Sequence, residues 1–161
     1  MSDAAADEYK EKLNMAGLEV FLTEGTDVES HFLCPDHVVS VAPEISRETA
    51  VKLIDEATIE CREKSVERCI NSWVTEAQQK KNKGGPSVNH GKIATEAGHA
   101  YNASPERYRY GKSVRGVLVG KLQKELGRNV ELLQSSPAIV VPDLKRIAEE
   151  VAATGDAGGS D

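Results

Sequence analysis

Apolar positions recur at helical spacing over two long stretches of this chain. From Gly111 to Leu126, Val114, Val117, Leu118 and Leu122 fall on one side, and Gly127 follows as a terminator. From Ser46, a natural N-cap after Pro43-Glu-Ile, to about Lys83, the residues Val51, Ile54, Thr58, Cys61, Val66, Cys69, Trp73 and Ala77 form a stripe. Ile59 and Ile70 lie beside it and charge covers the opposite face. The spacing predicts one long helix, broken by Lys80-Lys-Asn-Lys-Gly-Gly-Pro86, whose cations suit the negative end of the dipole. A shorter helix is predicted from Asp3 to Ala16, with Leu13 and Met15 near its end and Gly17 as its stop.

The period changes at residues 18–23, where Leu18, Val20 and Leu22 alternate with other residues and predict a strand. Asp27 to Leu33 reads as helical, halted before Pro35 because proline crowds the residue that precedes it. Residues 36–41 are too short to assign. Residues 84–106, rich in glycine, asparagine and serine, predict a loop with one short helix around 93–98. Residues 138–141 form either a strand or the lead into a last helix, Leu144–Val151, opened by Pro142-Asp143. The expected fold is therefore α+β and mostly helical: four to five helices packed with the strand near 18–23. A single domain is expected over residues 1–153, with a frayed tail at 154–161. A lone strand leaves its backbone groups unpaired, so it requires a partner at 38–41 or 138–141, or a larger sheet.

At 161 residues with 39% hydrophobic and 4% aromatic content, the core must be aliphatic and lean. No apolar run approaches the roughly 20 residues that span a bilayer, and the acidic opening lacks the basic n-region of a secretory signal. Cys34, Cys61 and Cys69 form no close pair, which fits a reducing compartment. A cytoplasmic protein without a membrane partner is expected. The net charge of −6 conceals a segregation: residues 1–61 carry −10, residues 62–128 carry +8 and residues 129–161 carry −4. A basic middle in an acidic chain either meets phosphate backbones or neutralises the acidic N-terminal third within the fold.

The densest candidate chemistry is Phe21-Leu-Thr-Glu24-Gly-Thr-Asp27-Val-Glu29-Ser-His31. An apolar strand that ends in Glu-Gly, followed by carboxylates at a helix start, can present oxygen ligands to Mg²⁺ or Mn²⁺. Asp27 in that position equally serves as a plain helix cap. The stretch Val20-Phe-Leu-Thr-Glu-Gly-Thr-Asp-Val-Glu resembles the opening motif of Toprim domains, whose glutamate assists phosphodiester chemistry at Mg²⁺. Those domains also carry a later Asp-x-Asp, which this chain lacks; Asp143 after Ala138-Ile-Val-Val-Pro142 is the nearest substitute.

A second resemblance covers residues 18–150. Asp27-Val-Glu-Ser-His-Phe-Leu-Cys-Pro35 is similar to a segment of OLD-like, Toprim-bearing ATP-dependent nucleases that follows the Asp-x-Asp strand. Gly111-Lys112 opening a helix and the ending Pro142-Asp-Leu-Lys-Arg-Ile-Ala148 are similar to their helical tail. The resemblance implies the C-terminal part of such a nuclease: a fragment, a remnant or one subunit of a split system with an ATPase-bearing partner. It implies Asp27 and Glu29 as metal-holding catalytic residues, with Glu24 beside them and Mg²⁺ or Mn²⁺ as cofactor.

Other motifs are weaker. His31, Cys34 and His37 recur at three-residue steps, but Pro35 interrupts them and no fourth zinc ligand is near. Cys61 and Cys69 lie on the apolar stripe, where cysteine behaves as a small hydrophobe. Gly111-Lys112-Ser113 ends like a phosphate loop, but position 106 is Glu where that loop needs Gly. The basic middle supplies Lys80, Lys81, Lys83, Arg107, Arg109, Lys112 and Arg115 as candidates for contact with DNA or RNA, with Tyr108 and Tyr110 between the arginines. The same arginines can instead pair with carboxylates of the N-terminal third. Two functions are therefore expected: a nucleic-acid-associated protein of nuclease descent, or a non-catalytic helical module that binds a protein.

Overall fold

The computed structural model describes residues 3–18, 20, 23, 25–139, 141 and 146. Its regular elements are all helical: α1 (Asp3–Met15), a 3₁₀ helix (Val28–Phe32), α2 (Pro35–Val41), α3 (Arg47–Glu60), α4 (Arg62–Asn82), α5 (His90–Ala103), α6 (Pro105–Tyr108) and α7 (Gly111–Leu126). No described residue belongs to a strand, so the α+β expectation with its strand near 18–23 is corrected to an all-helical fold. The reason lies in the missing ladder. Residues 38–41 are inside α2, which starts with Pro35 in its first turn, and Ile139 donates its N–H to Ser136 O in a turn. Leu18, Val20 and Thr23 carry no regular structure, while Glu19, Phe21 and Leu22 lie outside the described residues. The last helix, Leu144–Val151, and the tail 154–161 also lie outside them, apart from Arg146, which is helical.

The single long helix predicted over 46–83 is two helices that meet at Cys61. There the Ser65 hydroxyl donates to the Cys61 carbonyl at 2.9 Å, a back-bond of the kind that bends helices, and accepts the N–H of Tyr110 at 3.0 Å. Ser46 caps α3 as its sequence position suggests, accepting from Thr49 N at 3.1 Å. Gly17 ends α1 with φ +74°: its N–H bonds to Asn14 O, and Leu18 N–H reaches back to Leu13 O.

The core is built by α2, α3, α7 and the segment 130–132. Val114, Leu118 and Leu122, spaced by four, are fully buried on α7, opposite Ala50, Leu53, Ile54 and Ala57 of α3. The small alanines let the two helices approach closely. His37 on α2 is also fully buried, its Nδ1 2.7 Å from Ser136 Oγ and its Nε2 2.9 Å from Leu132 O, which anchors the segment after α7. Helices α4 and α5 form an antiparallel hairpin around Cys69, Ala97 and Tyr101, whose hydroxyl donates to Thr58 O. The predicted loop at 84–106 is thus mostly α5, capped by Asn89, which accepts from Lys92 N at 3.0 Å.

Candidate functional site

The acidic cluster packs directly on the start of α7. Asp27 has an extended backbone and caps the 3₁₀ helix: its Oδ1 accepts from Ser30 N at 3.1 Å and from Ser30 Oγ at 3.2 Å. Its Oδ2 accepts from Lys112 N at 3.3 Å, so one carboxylate also satisfies a donor in the first turn of α7. Thr26 Oγ1 donates to Arg109 O at 2.5 Å beside it. Glu29, two residues on, meets Arg115 one turn further along α7, with Arg115 Nε 2.5 Å from Glu29 Oε2. Gly111 makes this contact possible, since a Cβ there would lie 2.5 Å from Ser30 N. Helix α7 therefore begins where a phosphate loop would hold an anion, but the anion is the protein's own Asp27.

This arrangement bears on the divalent metal that the resemblance implies. A hard cation needs several free oxygen ligands. Both Asp27 oxygens accept N–H or O–H donors, and Glu29 faces a guanidinium, so the pair as arranged does not fit Mg²⁺ or Mn²⁺. Glu24 lies outside the described residues. Among the described residues, no three His, Cys, Asp or Glu side chains converge as metal ligands. The histidine–cysteine series does not converge either, because both His37 ring nitrogens are already engaged.

The seven candidate cations separate into two groups. Arg109 is half-buried and donates to Leu33 O at 3.1 Å; burial pushes its pKa below the usual arginine value, and its Nε has no hydrogen-bond partner among the described residues. Arg115 holds Glu29, and Lys112 uses its backbone N–H on Asp27 while its side chain is exposed. Arg107 is exposed, with its guanidinium 6.0 Å from the centre of the Tyr108 ring. These four sit around the α6–α7 junction. Lys80, Lys81 and Lys83 lie at the other end of α4, roughly 24 Å along the helix from Ser65 at 1.5 Å per residue.

Internal compensation of charge is realised on α7 and just beyond it. Besides Arg115–Glu29, Lys121 lies 3.2 Å from Glu56 and 3.4 Å from Glu60, and Arg128 lies 2.8 Å from Glu44. The Glu56 and Glu60 carboxylates raise the Lys121 pKa; a backbone hydrogen bond, followed by Arg128, lowers that of Glu44. Neither Lys121 nor Arg128 stands out in the sequence, because their partners are far away along the chain. Arg68, 4.2 Å from the centre of the Tyr110 ring, is likewise invisible to local spacing.

Among the described residues no helix is long and apolar enough to cross a membrane. Comparison with protein-family models, curated proteins and solved structures yields no match. The functional reading therefore rests on geometry.

Proposed function

We propose that this protein acts by binding rather than by catalysis, as a helical interaction module. The observation that carries this reading is the engagement of Asp27 and Glu29 with the first turns of α7. Carboxylates that hold two elements together serve the fold, and freeing them for a cation would leave Arg115 half-buried without its counter-ion. The nuclease reading implied by the OLD-like resemblance requires that release; the module reading requires nothing to move.

The test is incubation of the protein with plasmid DNA, single-stranded DNA and RNA in Mg²⁺ or Mn²⁺, beside the variants Asp27→Asn and Glu29→Gln. The expected result is no cleavage by any of the three proteins and lower thermal stability of both variants. Metal-dependent cleavage by the parent, abolished in a variant that remains folded, would overturn the proposal.

A further inference from the structure

Outside the compensated pairs of α7, the tip of the α4–α5 hairpin forms a cationic surface of its own. Between residues 77 and 95 the chain carries four lysines (Lys80, Lys81, Lys83 and Lys92) and no aspartate or glutamate. Every residue from 78 to 87 is exposed. Lys80 and Lys92 touch only glutamates one turn away on their own helices, Glu76 and Glu96, and Lys81 and Lys83 make no ion pair among the described residues. The lysines are not needed to finish α4 either. Lys80 O accepts from the N–H groups of Lys83 and Gly85, and Lys81 O from that of Gly84, whose φ of +90° closes the helix end through backbone alone.

From this we infer that the hairpin tip is a docking surface for a nucleic-acid phosphate backbone. The inference rests on the binding-module reading and names its partner. What the tip lacks selects among polyanions. No exposed large apolar side chain falls between residues 60 and 132, whereas protein interfaces centre on buried aromatic or aliphatic anchors and membrane-surface helices insert an apolar face. The tip offers lysine ammonium groups and the side-chain amides of Gln78, Gln79 and Asn82, all exposed. Point charges and hydrogen-bond donors without apolar anchors suit phosphate and sugar contacts, which position a protein on nucleic acid without reading sequence. The remainder of the molecule is net negative and is repelled by the same backbone, which favours approach through the tip.

The experiment is fluorescence anisotropy of the full chain with a labelled 20-base-pair DNA duplex of arbitrary sequence, from about 25 to 200 mM salt. Three or four phosphate contacts give a log–log salt slope of about −3. The double variant Lys81→Glu/Lys83→Glu is expected to weaken binding at least tenfold, while Lys124→Glu, an exposed lysine of α7, leaves it within twofold. Both lysines at the tip are exposed, so the double variant is expected to fold, which circular dichroism checks. Salt-insensitive binding, no binding at low salt, or binding indifferent to the double variant would overturn the inference. Equal affinity for poly-glutamate would overturn the nucleic-acid partner in favour of an acidic protein. Each of these results leaves the binding-module reading standing, because that reading falls only to cleavage that depends on Asp27 or Glu29.

Discussion

Arg115 reaches across 86 positions of sequence to place its Nε 2.5 Å from Glu29 Oε2, with each side chain only about one-fifth exposed. The pair joins the acidic N-terminal third to the basic middle at the point where the 3₁₀ helix meets α7. Partial burial makes it stronger than an exposed ion pair, and removing either member leaves the other half-desolvated. Arg115→Ala and Glu29→Ala are each expected to cost about 1–2 kcal/mol. The double variant is expected to cost less than the two together, which urea denaturation of the full double-mutant cycle measures.

Asp27 has a separate part in the same joint, because one carboxylate serves two helix starts. Asp27→Ala removes the acceptor for Ser30 N and for Lys112 N at once and is expected to cost about 1–2 kcal/mol, the upper range of a lost cap. Asp27→Asn keeps one oxygen for Ser30 but turns an amide toward the Lys112 N–H, so its loss is expected to be intermediate. Thermal melts of the three proteins order them parent, Asn, Ala. A reversed order would show that the carboxylate is strained there rather than stabilising.

The parts of this fold that the sequence made legible are those governed by local spacing. The bounds of α7 follow from Val114, Leu118 and Leu122 with Gly127 behind them, and the cap at Ser46 and the stop at Gly17 follow from turn chemistry. The strand expectation rested on three alternating residues, Leu18, Val20 and Leu22, and a strand depends on a ladder partner that no local pattern reports. The break at Cys61 was hidden because the apolar stripe continues through it, and the contact beside it, Tyr110 N–H to Ser65, comes from 45 positions away. Helix α5 was masked by its glycines and asparagines, although Ala97 and Tyr101 are buried against the seam and Asn89 caps it. In the site, Asp27 as a cap was readable from its position, whereas its second partner on α7 was not. The contrast is physical: caps and periods are short-range, while ion pairs and ladders are set by tertiary packing.

His37 supplies a further measurable anchor. Leu132 O can only accept, so Nε2 donates to it, while Nδ1 lies 2.7 Å from the Ser136 hydroxyl. His37→Ala removes both bonds and leaves a cavity beside Phe32, whose ring stands edge-on to the imidazole, for an expected loss of about 2–4 kcal/mol. Ser136→Ala removes one bond, for about 1 kcal/mol. Hydrogen exchange across residues 130–136 is expected to accelerate in both variants, and unchanged protection there would refute the anchoring role.

The thiols make a prediction about pH. Burial raises the pKa of Cys61 and Cys69 above the ordinary thiol value, and burial likewise raises that of Tyr101. A raised folded pKa means that the contribution to stability is complete below the unfolded pKa and is lost as pH climbs through the folded one. The urea midpoint is therefore expected to hold between about pH 6 and 8 and to fall above about pH 8.5, where unfolded thiols ionise. A brief iodoacetamide pulse at pH 8 is expected to label the half-buried Cys34 first, with Cys61 and Cys69 modified only in urea. Simultaneous labelling of all three would contradict their burial.

Glycines on one helix give opposite expectations. At Gly116 and Gly120, in the middle of α7, an added Cβ meets nothing within 4 Å. Each therefore costs backbone entropy without a packing return, and Gly116→Ala and Gly120→Ala are each expected to stabilise by about 0.5–1 kcal/mol. Gly111, at the start of the same helix, is fully packed against the acidic segment, and its Cβ would strike Ser30. Gly111→Ala is expected to destabilise by about 1–3 kcal/mol by forcing the 3₁₀ helix away from α7. Helix propensity alone predicts the same sign for all three substitutions, so a lower melting temperature for Gly111→Ala beside higher ones for the other two isolates the Asp27–α7 contact. A rise in all three would mean that the acidic segment does not dock on α7 in solution, and the assignment of Asp27 and Glu29 to the fold would fall with it.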